Sequence, residues 1–341
     1  MADRRTLIAQ MAHRDDWLAQ VTEEVIDPAR EIIDPHHHLW NRGGSAYEVP
    51  EWWADTGSGH NVTQTVFIEC HAYYDDTAPD HLRPVGETRK IAELAQASTT
   101  DPDKASITAI VAHADLRLDA LDQVLDAHDA AGNGLFRGIR HAGAHEPMPE
   151  ALFIPGRAPA GLYADPDFRR GVARLGERGL TYDTWHYHHQ NRDFLALAKA
   201  VPGTTMILDH FGTPLGVGQY EGQRETIFER WQDDVAEIAE CPNVIAKLGG
   251  MAMPDNGFGW HDQDRPPTSD EFVEAQAPWY LHMIQCFGPE RCMFESNFPV
   301  DKVSISYRVL WNGLKKIAAE FDETAQQAMF SGTARSVYRL G

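Results

Sequence analysis

Short apolar runs of β-strand character alternate with stretches of helical periodicity along nearly the whole chain. The β-like runs number eight, and in order they read EIIDPHHHL, QTVFIEC, SITAIVAHADL, FRGIRHAG, LTYDTWHYH, TTMILDHFG, NVIAKLGG and CMFESNF. Between them, apolar residues recur at helical spacing, as in LDALDQVLDAHDAAG and ETIFERWQDDVAEIAECP. This alternation favours an α/β fold with a parallel sheet and helices outside it. Eight such units predict a (β/α)8 TIM barrel, whose typical size is about 250 residues plus insertions.

A doubly wound open sheet is the competing architecture. Its usual glycine-rich phosphate loop is absent after the first β-like run. The 341 residues, 43% of them hydrophobic, suffice for one large domain with a buried core. We therefore predict a single barrel domain over residues 31–341, preceded by an amphipathic helical extension over residues 1–30 that packs on its outside.

Loop lengths differ sharply between the two ends of the predicted strands. Helix-to-strand connections are short, such as ERG, VPG and CPN, whereas strand-to-helix connections are long and aromatic. The longest are NRGGSAYEVPEWWADTGSGHN, HAGAHEPMPEALFIPGRAPAGLYADP and GGMAMPDNGFGWHDQDRPPTSDEF, after the first, fourth and seventh strands. Barrel enzymes build their active sites from loops at the carboxyl ends of the strands. The asymmetry therefore predicts a catalytic site at that end.

Charge and cysteine content narrow the class of partner. The net charge is −21, from 30 basic and 51 acidic residues, which disfavours nucleic acid and anionic membranes as partners. Four scattered cysteines form no CxxC pair, as is typical of a reduced, cytoplasmic protein. The sequence shows no secretory signal and no apolar run of the ~20 residues that span a bilayer. We expect a small-molecule substrate. The sequence is compatible with a homo-oligomer and does not decide the oligomeric state.

The stretch DPHHHLW places three histidines in a row at the end of the first strand. Because side chains alternate along a strand, His36 and His38 should share one face with Asp34, while His37 points to the helical shell. His210 ends the sixth strand, and the fifth strand offers further histidines in WHYHHQ. Imidazoles that converge from several strands predict a divalent metal site, Zn²⁺ or Mn²⁺. A cluster of hydrogen-bonded histidines, or a pair of donors to a substrate oxygen, is the alternative.

The motifs DPHHHLW, FRGIRH, YHHQ, ILDHFGTP, CPNVIAKLGG and RCMFESNFPVD, in this order, resemble those of the amidohydrolase-related (amidohydrolase 2) family of TIM-barrel hydrolases. The resemblance covers about residues 31–340. That family includes sugar-acid and dicarboxylate lactonases, with decarboxylases and hydratases as more distant relatives. The resemblance implies that His36 and His38 are the metal pair of the first strand. It also implies that His188 and His210 are the metal-site histidines of the fifth and sixth strands.

The eighth strand departs from the family pattern. The family usually has Ser-Asp-Trp-Pro there, and its aspartate binds metal or activates water, whereas this chain has Asn297 in SNFP. An amide accepts no proton at neutral pH and is a poor ligand beside imidazole. A metal-free mechanism is therefore an alternative. Asp301 and Glu69 are the candidates for the missing carboxylate. The predicted catalytic residues are these two together with Asn297 and His210. Alternatively, Asp301 caps a helix, and Glu69 is a hydrogen-bond partner that fixes the tautomer of a histidine.

Glu295 lies two residues before the strand-end asparagine, and a buried ion pair with Lys247 is its expected role. Arg140 and His141 end the fourth strand. A planar guanidinium suits a substrate carboxylate, and an ion pair with a neighbouring acid is the alternative. Tyr73 and Trp53 belong to an aromatic group in the first two loops that is predicted to bind the substrate or to pack the loops. The glycine-rich GGMAMPDNGFGW segment has the composition of a lid.

Together, the residues and the resemblance predict an enzyme, a lactonase-like carboxylic ester hydrolase. It would open a lactone or related cyclic ester of a small carboxylated or hydroxylated metabolite by activated water. A lyase on the same barrel, either a decarboxylase or a hydratase, is the second hypothesis. A non-catalytic binding protein is the third.

Overall fold

The computed structural model describes residues 14–42 and 45–341. Eight parallel strands form one sheet in chain order, with the helices between them. These strands are β1 (Glu31–His37), β4 (Asn61–Ile68), β5 (Ser106–Ala112), β6 (Phe136–Arg140), β7 (Thr181–Thr184), β8 (Met206–Leu208), β9 (Val244–Leu248) and β10 (Cys292–Phe294). The two short strands β2 (Trp40–Arg42) and β3 (Ser45–Tyr47) form a separate hairpin in the first loop. The predicted (β/α)8 barrel is confirmed.

The sheet comes close to full closure where the first strand meets the end of the last. The N–H of His38 donates to the carbonyl of Phe298 at 2.8 Å, and the N–H of Asn297 donates to the carbonyl of His36 at 3.0 Å. These bonds bring the ends of β1 and β10 to the same edge of the barrel. Side chains that follow distant strands therefore surround one axis.

Helices cover the outside of the sheet. They are α1 (Asp15–Leu18), α2 (Val49–Thr56), α3 (Val85–Ser98), α4 (Leu121–Ala131), α5 (Pro166–Glu177), α6 (Asn191–Ala200), α7 (Arg224–Ala239), α8 (Ser269–Phe287), α9 (Tyr307–Ala318), α10 (Glu323–Gln327) and α11 (Thr333–Val337). Local sequence determines where several helices begin. The side chain of Asp165 accepts hydrogen bonds from the first-turn amides of α5. Thr268 and Glu271 form a capping box at the start of α8. No helix in the described ranges has the length and apolar character needed to cross a membrane.

The N-terminal extension lies against the barrel wherever the structure describes it. Arg14 donates to the carbonyl of His261 at 3.0 Å, and the Glu23 carboxylate accepts from the N–H of Ser269 at 2.7 Å. The only helical turn in residues 14–30 is the short α1. The rest of the predicted helix, residues 1–13, lies outside the described residues.

The barrel interior is apolar at its amino end and polar at its carboxyl end. Ile33, Val66, Val111 and Met293 belong to a buried interior cluster, and Tyr338 after α11 packs against it. A larger cluster fills the space between the strands and the helices. Since the amino end is packed, the barrel leaves room for a ligand at its carboxyl end, under the long loops.

The first strand carries a register shift that corrects the predicted alternation. β1 shifts its pairing with β4 between Asp34 and His37. The Asp34 carboxylate consequently accepts from the Tyr307 hydroxyl of α9 at 3.0 Å, so Asp34 does not share the face of His36 and His38. His37 does face the shell, as predicted. Its Nε2 lies 2.9 Å from the Thr65 hydroxyl, and its ring stacks on Trp52 at 5.3 Å.

Burial of His37 should make stability depend on pH. Burial lowers the pKa of His37 to about 3, whereas an unfolded histidine titrates near 6.5. Between these values the unfolded chain binds more protons, so this contribution to stability is full above pH 6.5 and is lost as the pH falls. Replacing His37 with Phe keeps the aromatic stack and removes the titration. Urea unfolding gives the free energy of unfolding of the wild type and of His37→Phe at each pH. From pH 6 to pH 4, the value for the wild type minus the value for the variant should fall by about 1.4 kcal/mol per pH unit. A constant difference across that range would contradict the assignment.

Candidate active site

Polar side chains from seven of the eight strand ends meet at the carboxyl end of the barrel. The rings of His36 and His38 lie 5.0 Å apart, and those of His36 and His210 lie 4.5 Å apart. The structure therefore brings these three predicted histidines together. The buried group contains, besides them, Glu69, Arg140, Asp183, Asp209, Lys247 and Glu295.

Glu295 holds two of the histidines from below. One carboxylate oxygen lies 2.8 Å from His36 Nδ1 and the other lies 2.7 Å from His210 Nδ1. Burial raises the pKa of Glu295 to about 8 and lowers the pKa of His210 to about 3. The ion pair predicted between Glu295 and Lys247 is not formed, because the carboxylate turns towards the imidazoles.

Lys247 pairs instead with aspartates that end the neighbouring strands. Its Nζ lies 2.8 Å from the Asp183 carboxylate, 3.3 Å from that of Asp209 and 3.4 Å from His36 Nδ1. Burial opposes the charge, but the two carboxylates raise the pKa of Lys247 above its ordinary value. A fully buried ammonium therefore takes the cation position among these carboxylates.

Arg140 crosses the floor of the site between Glu69 and His36. Its Nε donates to the Glu69 carboxylate at 2.8 Å, and its Nη2 donates to the Glu69 carbonyl. Its Nη1 lies 3.3 Å from His36 Nε2. A guanidinium can only donate, and the Glu295 carboxylate lies 2.8 Å from Nδ1, closer than the Lys247 ammonium at 3.4 Å. His36 Nε2 is therefore the acceptor towards Arg140, and the neutral ring carries its proton on Nδ1.

In this arrangement Arg140 occupies the His36 position of the predicted metal group. The single lone pair of neutral His36 is directed at Arg140, and Zn²⁺ would need that nitrogen at about 2.0–2.1 Å. His36, Asp209 and His210 do place one ligand atom each within 4.8 Å of one another. However, Lys247 already neutralises Asp209, and the amide of Asn297 supplies no carboxylate from β10.

His188, the fourth predicted ligand, lies away from this group. Its Nδ1 accepts from the N–H of Leu215 at 3.2 Å, and its ring contacts Tyr220 at 5.1 Å. β7 ends at Thr184, so His188 belongs to the loop beyond the strand. The strand residue that joins the buried group from β7 is Asp183.

His38 is the first-strand histidine that faces open space. Its Nδ1 lies 2.8 Å from the carbonyl of Ile68, which can only accept, so Nδ1 carries the proton and Nε2 keeps its lone pair. Burial, and then the charge of Arg140, lower the pKa of His38 well below its ordinary value. The ring is therefore neutral and has a fixed tautomer.

A cavity of about 550 Å³ opens above His38. Glu69, Arg140 and His141 line its floor and walls, and residues 153–159 of the loop after β6 line another side. Two carboxylates on the wall are already in ion pairs, Glu69 with Arg140 and Asp115 with Arg117, both at 2.8 Å. Arg157 also lines the cavity and is exposed, and no carboxylate in the described ranges pairs with it. The cavity thus carries an excess of positive charge.

Asp301 does not reach this cavity. Its side chain is fully buried and accepts from the N–H of Ala252 at 3.0 Å and from the amide of Asn297 at 2.9 Å. Burial raises the pKa of Asp301 well above its ordinary value, and its contacts with Ala252 and Asn297 leave it no path to a water in the cavity. The alternative of a helix cap is also wrong, since Ser306 caps α9.

The aromatic residues Tyr73 and Trp53, predicted to bind the substrate or to pack the loops, do not line the cavity. The Tyr73 hydroxyl donates to Glu48 at 2.7 Å, and Trp53 donates to the carbonyl of Ala105 at 3.0 Å, so both hold loops together. Trp40 and Trp185 line the cavity in their place. The segment predicted as a lid packs inward, with Met251, Ala252 and Met253 at 1–3% exposure.

Sequence reasoning missed His71, His113 and Arg157 on the cavity wall. His71 stands two residues after Glu69, and His113 follows β5 directly in AIVAHAD. The same rule that selected His210, a histidine at the carboxyl end of a strand, applies to His113. Arg157 lies deep in a long loop, where no local signal indicates its direction.

Comparison with known proteins identifies the family of this chain and agrees with its fold. The amidohydrolase family model matches residues 33–340. An uncharacterized protein, y4mH of Sinorhizobium fredii, is 31% identical over 91% of this chain and 98% of its own length. An L-fucono-1,5-lactonase of Burkholderia multivorans is 27% identical over 90% of this chain and 96% of its own. The crystal structure of an amidohydrolase from Burkholderia multivorans with bound Zn superposes with a TM-score of 0.71 at 23% identity, covering 91% of this chain and 99% of that one.

The match of the family model extends over the whole barrel, from the first strand to the last helix. It includes the strand ends that carry the histidines and the cavity. The chain therefore belongs to the amidohydrolase family and is an enzyme, a hydrolase.

Proposed function

We propose that this enzyme hydrolyses a lactone or a related cyclic ester of a small carboxylated or hydroxylated metabolite. The observation that carries the proposal is the lone pair of His38 Nε2, held next to Arg140 at the floor of a cationic cavity. A base and a cation side by side are what ester hydrolysis requires, because water loses a proton while the carbonyl oxygen gains charge.

His38 is the proposed general base. The Ile68 carbonyl fixes its tautomer, and its neutrality keeps the lone pair available at neutral pH. A positioned base of this kind contributes roughly 10²–10⁴-fold to a rate. A lactone needs comparatively little activation, because its leaving oxygen belongs to a strained or activated ring ester.

Arg140 is the proposed stabiliser of the oxyanion. Glu69 holds the guanidinium through its carboxylate and its carbonyl, so its direction is set before substrate arrives. In this reading Glu69 is a positioning residue rather than the base. His210 and Glu295 lie below the floor and support His36, the neighbour of Arg140.

Arg157 is the proposed contact for a carboxylate or a hydroxyl group of the substrate. Its guanidinium has no acidic partner among the described residues, whereas that of Arg117 is paired with Asp115. A planar guanidinium binds a carboxylate through two parallel hydrogen bonds.

The proposed reaction then follows directly. Water attacks the carbonyl carbon and transfers a proton to His38 Nε2, while Arg140 stabilises the oxyanion. Collapse of the tetrahedral intermediate breaks the ring C–O bond, and His38 returns the proton to the leaving oxygen. The product is a hydroxy acid. The relative named as an L-fucono-1,5-lactonase supports this class of substrate.

A panel of aldonolactones and carboxylated lactones, assayed in H₂¹⁸O, tests the proposal. We expect proton release and incorporation of one ¹⁸O atom into the product carboxylate. Release of CO₂ from unsaturated or aromatic carboxylates, without ¹⁸O incorporation, would replace the proposal with the lyase hypothesis.

A further inference from the structure

We propose that Glu69, His71 and His113 form a site for a divalent transition metal, of the Zn²⁺ class, on the wall of the cavity. This site is separate from the histidine group predicted from the sequence. One carboxylate oxygen and two imidazole nitrogens lie within 4.8 Å of one another there. All three residues line the cavity, so a fourth position on the ion is open to solvent or to a ligand.

Glu69 supplies a buried carboxylate oxygen that no hydrogen-bond donor in the described part of the chain satisfies. The residue is 2% exposed, and Oε2 accepts no hydrogen bond from the described residues. Arg140 holds the other oxygen at 2.8 Å, so the carboxylate is fixed with Oε2 directed at the histidines. A buried carboxylate oxygen without a donor is costly, and a cation next to it removes that cost.

The spacing of the ligand atoms suits a tetrahedral ion. Glu69 Oε2 lies 3.6 Å from His71 Nε2. Two ligands at about 2.1 Å from a tetrahedral Zn²⁺ are about 3.4 Å apart, so this pair already spans one edge of the tetrahedron. The rings of His71 and His113 lie 4.9 Å apart, and His71 is exposed enough to rotate towards its partner.

Each histidine has the partner that a metal ligand needs on its other nitrogen. His113 Nδ1 lies 3.1 Å from the carbonyl of Arg140, so Nδ1 carries the proton and Nε2 keeps a lone pair. His71 Nδ1 lies 2.8 Å from the Tyr74 hydroxyl, which accepts from it once Nε2 binds an ion. Such outer hydrogen bonds orient ligating histidines. At the predicted group, by contrast, the His36 lone pair is directed at Arg140.

Metal content measured without substrate tests this inference independently of the proposed reaction. Wild-type protein and variants, purified without chelator, are equilibrated with buffered free Zn²⁺ and analysed by elemental mass spectrometry. We expect one equivalent in the wild type, and a loss of affinity of roughly a hundredfold or more in His71→Asn and His113→Asn. The Co²⁺-loaded wild type should show a d–d absorption band that both variants lose.

His36→Asn and His188→Asn are the matched controls, because both remove histidines from the set predicted by sequence and both should keep the metal. If His36→Asn loses the ion while His71→Asn and His113→Asn retain it, the inference is overturned. A wild type that binds no Zn²⁺ at micromolar free concentration also overturns it. If His113→Asn does not fold, His71→Asn decides alone, since His71 lies at the surface of a loop.

Discussion

Replacing His38 with asparagine is expected to reduce kcat/KM for the lactone found in the substrate panel by roughly 10²–10⁴-fold. Asparagine keeps a polar side chain of similar reach and loses the lone pair that accepts the proton from water. The measurement is a comparison of initial rates with the wild type, on protein whose circular dichroism and urea midpoint show a retained fold.

His37→Phe is the matched control for that variant, since it alters the adjacent residue on the opposite face of β1. Its ring contacts Thr65 and Trp52, away from the cavity, so the rate should stay within a few-fold of the wild type. Retention of more than a tenth of the activity in His38→Asn would remove His38 from the role of base.

Replacing Lys247 with methionine should lower the free energy of unfolding by about 3–5 kcal/mol. The ammonium is fully buried between Asp183 and Asp209, and methionine has similar volume but leaves these carboxylates without their cation. Urea unfolding at neutral pH gives the difference directly.

Lys316→Met is the control for charge removal at the surface. Lys316 pairs with Asp270, whose side chain is 86% exposed, and surface pairs of this kind contribute at most about 1 kcal/mol. If the two substitutions lower the free energy of unfolding equally, the buried ion pairs of Lys247 with Asp183 and Asp209 contribute no more to stability than a surface pair.

The barrel could be predicted because its determinants are local. The alternation of β-like and helical runs can be read from consecutive residues. All eight predicted runs are strands at or within a few residues of their expected positions. Loop lengths also placed the cavity at the carboxyl ends of the strands. The convergence of His36, His38 and His210 followed from closure alone.

Contacts between strand ends could not be predicted in the same way. The alternation rule failed at Asp34, because a register shift depends on pairing with a neighbouring strand. Glu295 was expected to meet Lys247, yet it contacts two imidazoles, because three aspartate and glutamate carboxylates compete for one ammonium inside the barrel.

By itself, the sequence determined the barrel, its catalytic end and the histidines that end β1 and β8, because periodicity and chain order decide these features. Only the tertiary structure decided which imidazole keeps a free lone pair. Arg140 occupies that of His36, the Ile68 carbonyl leaves that of His38 open, and His188 stays in its loop. A proton position depends on atoms from strands far apart in sequence, and only folding brings those atoms within hydrogen-bonding distance.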